Sequence, residues 1–235
     1  SLQLITLKNI PGVRGVTEVI EENALVKYGD KQYLATLKGV SADFEKNSGI
    51  DTMLVDGHYI LQKQDTSFAV VGAGIAYNLQ LNILDPFSFL EIYAPNRKAV
   101  SLTDPEDAFN SRLILPSGVF SIQQEFDAKY ILVSKKFAED IFNYGNRLTS
   151  LEVVTDPSAD LSAIKKSIQQ KTGNSFQIKD RFEQHATIYK IMKSEKWAVF
   201  LILSFILVIA TFNIISSLTM LVIDKKRDIA ILQSM

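Results

Sequence analysis

From Trp197 to Ile223 the chain runs 27 residues without Asp, Glu, Lys or Arg. About 20 apolar residues in a helix cross a hydrocarbon core, and a buried soluble helix is rarely this apolar for this long, so the run reads as a membrane span. All 25 basic and 26 acidic residues of the 235 lie outside it. That segregation explains a mean hydropathy of +0.10 in a chain that is 22% charged. The run is C-terminal and too long for a signal peptide. Lys190, Lys193, Glu195 and Lys196 precede it, and Asp224-Lys225-Lys226-Arg227-Asp228 follows it. The positive-inside rule places the following cluster in the cytoplasm and residues 1–196 outside, with Trp197 as an outer interfacial anchor.

The remaining composition excludes several classes. A formal charge of −1 does not suit a basic nucleic-acid binder. The absence of Cys excludes a disulfide scaffold, a thiolate metal site and a Cys nucleophile. An outward domain followed by an inward-going span needs an earlier export element, so another membrane span is expected before Ser1.

Residues 1–9 read as the last turns of a helix leaving the membrane, broken at Pro11-Gly12. Val16 to Tyr28 and Gln32 to Val40, around Gly29-Asp30, predict a β-hairpin. A turn or two of helix is expected over 41–48, then a buried strand at Phe68 to Val71, a glycine turn and a short helix to about Leu81. Further strands are expected over 89–94, 112–122 and 130–134. Then the pattern alternates: a helix over 135–144 closed by Gly145, and a strand over 148–155. A helix starting at Asp156-Pro157-Ser158 bears the stripe Leu161, Ile164, Lys165, Ile168 and ends at Gly173; a strand over 175–179 follows. This β-α-β-α-β order suggests an α/β layer. The fold class is therefore α+β: an α/β lobe from 1–56 and 126–179 with an inserted β-rich lobe over 57–125. Asp180 and Glu183 form a capping-box start for a helix with no Pro or Gly up to Ile223, about 66 Å long. It divides into a stalk (180–196), the span (197–223) and a following segment (224–235). Such a helix can carry a push or twist from the outer domain into the bilayer.

Motifs that carry chemistry are weak. Val71-Gly72-Ala73-Gly74 reads strand, Gly-x-Gly, helix, as in a dinucleotide fingerprint, with Glu91 placed for a ribose hydroxyl. Tyr77 stands where the third glycine belongs, which favours a tight turn instead. His58 and His185 are the only histidines and have no ligand spacing around them. Ser117-Gly118 lacks a nucleophile elbow, and Glu21-Glu22 point to opposite faces of a strand. No catalytic, metal or cofactor residue is expected. Within the span, Ser204, Thr211, Asn213, Ser216, Ser217 and Thr219 are a polar minority. Most can bond back to their own helix, whereas the Asn213 amide calls for another helix, with Ser216 and Ser217 beside it. The stretch 95–111 is long for a loop and carries isolated apolar residues, as binding loops do.

Ile10-Pro11-Gly12-Val13-Arg14-Gly15-Val16-Thr17, Lys38-Gly39-Val40, Val71 to Leu79, Gly118-Val119-Phe120-Ser121 and Asp127-Ala128-Lys129-Tyr130 add up to a pattern. With Phe212 to Val222 and Asp224 to Leu232 they resemble the FtsX-like permeases of ABC transporters. The chain is most similar to the lipoprotein-releasing LolC/LolE branch, with MacB a more distant relative. The resemblance implies a bacterial inner-membrane protein of four spans, with a periplasmic domain, here residues 1–196, between the first two. That domain comprises an α/β "porter" part and an inserted β-rich part. It implies ATP hydrolysis on a separate cytoplasmic ATPase subunit, met by the segment 224–235 through Lys225, Lys226, Arg227, Ile229 and Leu232. It implies a second permease subunit, identical or not, a lipoprotein cargo, membrane lipids and no nucleic acid. A projecting hairpin, the hook, falls at 95–111 in the carrier-binding member; Val100, Leu102, Pro105 and Phe109 are the counterparts that would meet a periplasmic lipoprotein carrier. Two other readings stay open: the outer sensor domain of a membrane receptor, and a membrane-tethered dinucleotide enzyme using Gly72 and Gly74.

Overall fold

The computed structural model describes residues 6–85, 88–96, 108–145, 147–173, 176–180, 183 and 186–233, without the side chains of 186–194, 224, 227, 228 and 230–233. The chain divides into two compact units, 1–174 and 175–235.

In the first unit β1 (Val13–Tyr28) turns through Gly29-Asp30 into β2 (Lys31–Val40). Gly29 takes φ 57°, open to glycine without a Cβ penalty, and the antiparallel ladder runs from Tyr28↔Lys31 to Val19↔Val40. Next come α1 (Phe44–Ser48), a 3-10 turn (Ile50–Met53), β3 (Leu54–Gly57), β4 (Gln62–Lys63), β5 (Thr66–Gly72) and α2 (Ala73–Leu79). These are followed by β6 (Leu90–Pro95), β7 (Phe109–Phe120), α3 (Gln124–Asp127), β8 (Tyr130–Ser134), α4 (Lys135–Ile141), β9 (Ser150–Thr155) and α5 (Leu161–Thr172).

Among the described residues the strands form one 9-stranded sheet in the order β3-β7-β6-β1-β2-β8-β5-β4, with β9 on β1. β5 pairs with both β8 and β7, so the path from β7 through β6, β1, β2, β8 and β5 closes on itself. β2 with β8 and β5 with β7 run parallel; the other pairs are antiparallel.

Strand periodicity divides the core. Ile20, Val26, Leu37, Val71, Ile92, Ile114 and Ile131 cluster with Ile75 and Leu79 of α2 and with Phe137, Ala138 and Ile141 of α4. Val19, Val40, Val70 and Leu132 instead cluster with Phe44, Ile50 and Phe120. Fully burying each Val, Leu, Ile or Phe side chain among them is worth about 1.5–3 kcal/mol.

The hairpin, β8 and the closing Gly173 are as expected, and three expectations need correction. First, α5 starts at Leu161, not at Asp156. The Asp160 side chain accepts from the backbone N–H of Ser162 (2.8 Å) and Ala163 (3.3 Å), a better cap than Asp156, whose carbonyl closes a turn onto Ala159. Second, α4 ends at Ile141, because Asn143 (φ 54°) already leaves the helical region before Gly145. Third, 176–179 is not a strand. The alternation of Phe176 and Ile178 is not enough without an edge to pair with. The expected β-α-β-α-β run is thus β8-α4-β9-α5, and β9 pairs with β1 rather than beside β8.

In the second unit the capping box forms. Asp180 N–H donates to Glu183 Oε2 (3.0 Å), and Glu183 N–H donates to Asp180 Oδ1 (2.7 Å). α6 (Ala186–Gln233) is 48 residues long, about 72 Å. Its part from Glu195 to Ile223, 29 residues, has the length and composition to cross a membrane. Large apolar side chains point outward around it, from Trp197 to Ile223. The helix continues through Asp224–Asp228.

Candidate functional site

β6 and β7 form a hairpin paired from Leu90↔Ile114 to Pro95↔Phe109, and Asn96 N–H donates to the Ala108 carbonyl (2.8 Å) across its base. Both ends of the expected irregular stretch 95–111 are strand instead: Pro95 ends one strand, and Phe109, Asn110 and Ser111 begin the next. Asn110 is polar yet sits in the strand because its amide donates to the Ile141 carbonyl (2.8 Å). Phe109 is about half exposed at the mouth of the hairpin. Val100, Leu102 and Pro105 lie outside the described residues. Register places Phe109, Tyr93, Leu25 and Leu34 on one face of the sheet, together with Leu113 across from Glu91. Leu34 (69%) and Leu113 (63%) are strongly exposed there, so the hairpin base adjoins an apolar outer surface.

The glycine motif has a different purpose from phosphate binding. A Cβ on Gly72 would lie 2.2 Å from the Asp127 carbonyl oxygen, and one on Gly74 3.0 Å from Ala128 backbone. Both glycines admit the α3–β8 connection. That connection is fixed in turn by Asp127, whose carboxylate accepts from Ser121 Oγ (2.9 Å) and Ile122 N–H (2.8 Å). α2 is seven residues long and opens on this packed turn. Ser117 is likewise structural: its hydroxyl donates to the Ile60 carbonyl (2.7 Å), with the Ala69 carbonyl 3.2 Å away. His58 lies beside that strand, its N–H on the Ser117 carbonyl (2.8 Å), and His185 lies outside the described residues. Among the described residues no three His, Cys, Asp or Glu side chains gather around a metal position.

Glu21 and Glu22 do diverge. Glu22 accepts from the Tyr144 hydroxyl, whereas Glu21 pairs with Lys38 (3.2 Å). Lys38 also pairs with Glu152 of β9, and its ammonium lies 5.5 Å and 5.8 Å from the Phe44 and Tyr130 ring centroids. Burial alone pushes the Lys38 pKa down; the Glu152 carboxylate, then Glu21, outweighs it and raises the value above that of a free lysine. On the opposite face of β1, Lys135 sits between Glu18 and Glu139. Burial lowers its pKa as well, and Glu18 followed by Glu139 outweighs that and raises it. Sequence reading missed both clusters. The available signal was a lysine inside the otherwise apolar strand Tyr33 to Val40, opposite a strand rich in glutamate.

Along α6, Thr211 and Thr219 donate to the carbonyls of Leu207 (2.8 Å) and Ile215 (2.7 Å). Asn213, Ser216 and Ser217 are exposed and follow i, i+3, i+4 spacing on one face. Lys225, Lys226 and Ile229 are exposed; the side chains of Arg227 and Leu232 lie outside the described ones.

No protein-family model matches the chain. Over 235 residues it is 27% identical to the lipoprotein-releasing system transmembrane protein LolC of Buchnera aphidicola subsp. Schizaphis graminum, covering 99% of this chain and 55% of that protein. Over 238 residues it is 22% identical to the lipoprotein-releasing system transmembrane protein LolE of Haemophilus influenzae, covering 97% and 54%. The chain resembles the lipoprotein-releasing permeases. It spans about half the length of these relatives, and the likeness runs through the outer unit and α6 alike. In fold, it resembles the extracellular domain of the noncanonic ABC-type transporter YknZ from Gram-positive bacteria: TM-score 0.50, 13% identity, 74% of this chain and 83% of that one.

Proposed function

We propose that this chain is the outer domain, stalk, one span and cytoplasmic exit of an inner-membrane permease of the lipoprotein-releasing kind. Residues 1–196 are periplasmic and 224–235 cytoplasmic, with a further span before Ser1. The two outer lobes, 1–56 with 126–179 and 57–125, move with the stalk over 180–196. A separate ATPase hydrolyses ATP and docks on Lys225, Lys226, Arg227, Ile229 and Leu232. Closure on that side moves the helix, and the outer domain expels a lipidated protein or hands it to a periplasmic carrier held at Val100, Leu102, Pro105 and Phe109. Asn213, Ser216 and Ser217 pack against a helix of this or a second permease subunit.

The observation that carries this reading is the likeness to LolC over 99% of the chain, covering the mixed α/β unit and the apolar helix together. The test is affinity purification of the full-length protein from native membranes, followed by reconstitution in liposomes. An ATPase subunit should copurify, and ATP should drive release of a lipid-modified protein. Purification without an ATPase, or with a cytoplasmic signalling domain on the same chain, would overturn it.

A further inference from the structure

In the outer unit residues 6–12 lead into β1, and β9 leads into residues 156–173. The two strands pair antiparallel from Val13↔Thr155 to Val19↔Ser150, so both connections depart from the same end of one ladder. A pull that separates them loads the Val13–Thr155 rung first, and rungs then open one after another. Among the described residues β9 has no strand partner except β1, so little else holds it in the sheet.

That vulnerable end is reinforced. Beyond the last rung, Asp156 N–H donates to the Gly12 carbonyl (2.9 Å), and Arg14 Nε lies 3.3 Å from Asp156 Oδ1. Gly12, at φ 86°, lets α5 close over it: a Cβ there would sit 3.1 Å from both Ala159 Cβ and Ile164 Cδ1. Leu7 and Ile10 are buried, and Lys171 Nζ reaches the Thr6 carbonyl (3.5 Å). Farther along the ladder, Lys38 of β2 bonds Glu152 of β9 over the face of β1. The two connections are therefore tied by backbone, apolar packing and charge at once.

We propose that the β1–β9 ladder is a clasp. The segments that flank β1 and β9 in the outer unit move as one body, and a pull on either is carried by the packed end of the ladder without peeling β9 away. This rests on the permease reading above and adds to it an end of the outer unit that stays closed under load.

The chain has no Cys, so Val13→Cys with Thr155→Cys places one staple across the last rung. In the full-length protein, cleared of any other cysteine and reconstituted with its ATPase, the oxidised staple should keep ATP-driven lipoprotein release within about twofold of the reduced form. A fall of about tenfold on oxidation, restored by reduction, would show that the ladder must open and would overturn the clasp. A cargo-free arm follows amide hydrogen exchange in the membrane-embedded wild type, with and without nucleotide. Those amides of 150–155 that donate to β1 should be equally protected in both states; loss of their protection on adding nucleotide would also overturn the clasp. Absence of ATP-driven release in the wild type would instead count against the permease reading, and the exchange arm would still decide the clasp.

Discussion

The two units treat polar groups in opposite ways. In the outer unit, each charge drawn toward the sheet has partners on the spot: Lys38 between Glu21 and Glu152, Lys135 between Glu18 and Glu139, Asp127 on Ser121 and Ile122. Among the described residues, no buried side-chain N or O lacks a hydrogen bond. In α6 the threonines satisfy themselves, while Asn213, Ser216 and Ser217 face outward amid apolar surface. The first pattern is that of a unit complete in itself. The second suits an element whose environment lies outside the chain; in the reading proposed above, that is lipid for the apolar face and another helix for the amide.

The largest expected effect breaks this comparison with one charge placed in each unit. Ile209→Arg, near the middle of the 195–223 segment, should cost about 3 kcal/mol of insertion. It should lower the fraction of chains in which this segment spans, read by protease accessibility of residues on its two sides. Leu34→Arg puts the same charge at an equally exposed apolar site in the outer unit and should shift its unfolding by no more than about 0.5 kcal/mol. Equal outcomes would remove the distinction between the units.

Next comes Gly72→Ala. The added methyl meets the Asp127 carbonyl backbone, which has no room to yield, so the outer unit should lose about 2–3 kcal/mol in chemical denaturation. Gly49→Ala is the control: nothing lies within 4 Å of its Cβ, and only its φ of 65° opposes the change, at about 1 kcal/mol. If Gly72 tolerated the methyl better than Gly49, the packing role of the glycine motif would be refuted.

What could be read from residues alone follows from the range of the interactions. The β1–β2 hairpin depends on Gly29-Asp30 and local alternation, and the capping box depends on Asp180 and Glu183 three residues apart; both were legible. The ladder between β1 and β9 joins residues more than a hundred positions apart, and no local pattern specifies it. Closure of the sheet by β5 on β7 joins residues 47 or 48 positions apart, likewise beyond any local pattern. The stretch 176–179 shows the reverse case: a strand-like alternation with no edge to complete it. At the candidate site, the apolar face beside the β6–β7 hairpin became visible only through register, because Leu34, Tyr93 and Leu113 are scattered in sequence. The Lys38 cluster was hidden because a lone lysine in a strand usually reads as a solvent-facing position.

Lys38→Met sharpens the comparison at a smaller scale. Removing the cation leaves Glu21 and Glu152 facing each other; Glu152 is partly open to water, which tempers the loss to about 1–2 kcal/mol. The folded pKa of Lys38 lies above its unfolded value. Its contribution is therefore complete below the free lysine value of about 10.4 and declines as pH rises through the folded value. Thermal melts of wild type and Lys38→Met should differ by a constant amount from pH 7 to about 9.5 and converge at higher pH. A gap that widens with alkalinity would contradict the ion pairs as its cause.

The smallest expected effect tests the incomplete side of the comparison. Asn213→Leu removes the one amide in the span and replaces it with a side chain that lipid solvates equally well. A single interhelical hydrogen bond in a membrane is worth about 0.6–2 kcal/mol, so assembly with the partner helix should weaken about three- to thirtyfold. Insertion and the melting of the outer unit should not change, since nothing in that unit depends on the amide. Thr211→Val is the matched control: its hydroxyl already donates to the Leu207 carbonyl, so its loss should leave assembly within about twofold. Energy transfer between labelled copies of the full-length permease in liposomes reads both. If Thr211→Val weakened association as much as Asn213→Leu, the outward-facing amide would carry no special role, and α6 would associate through shape alone.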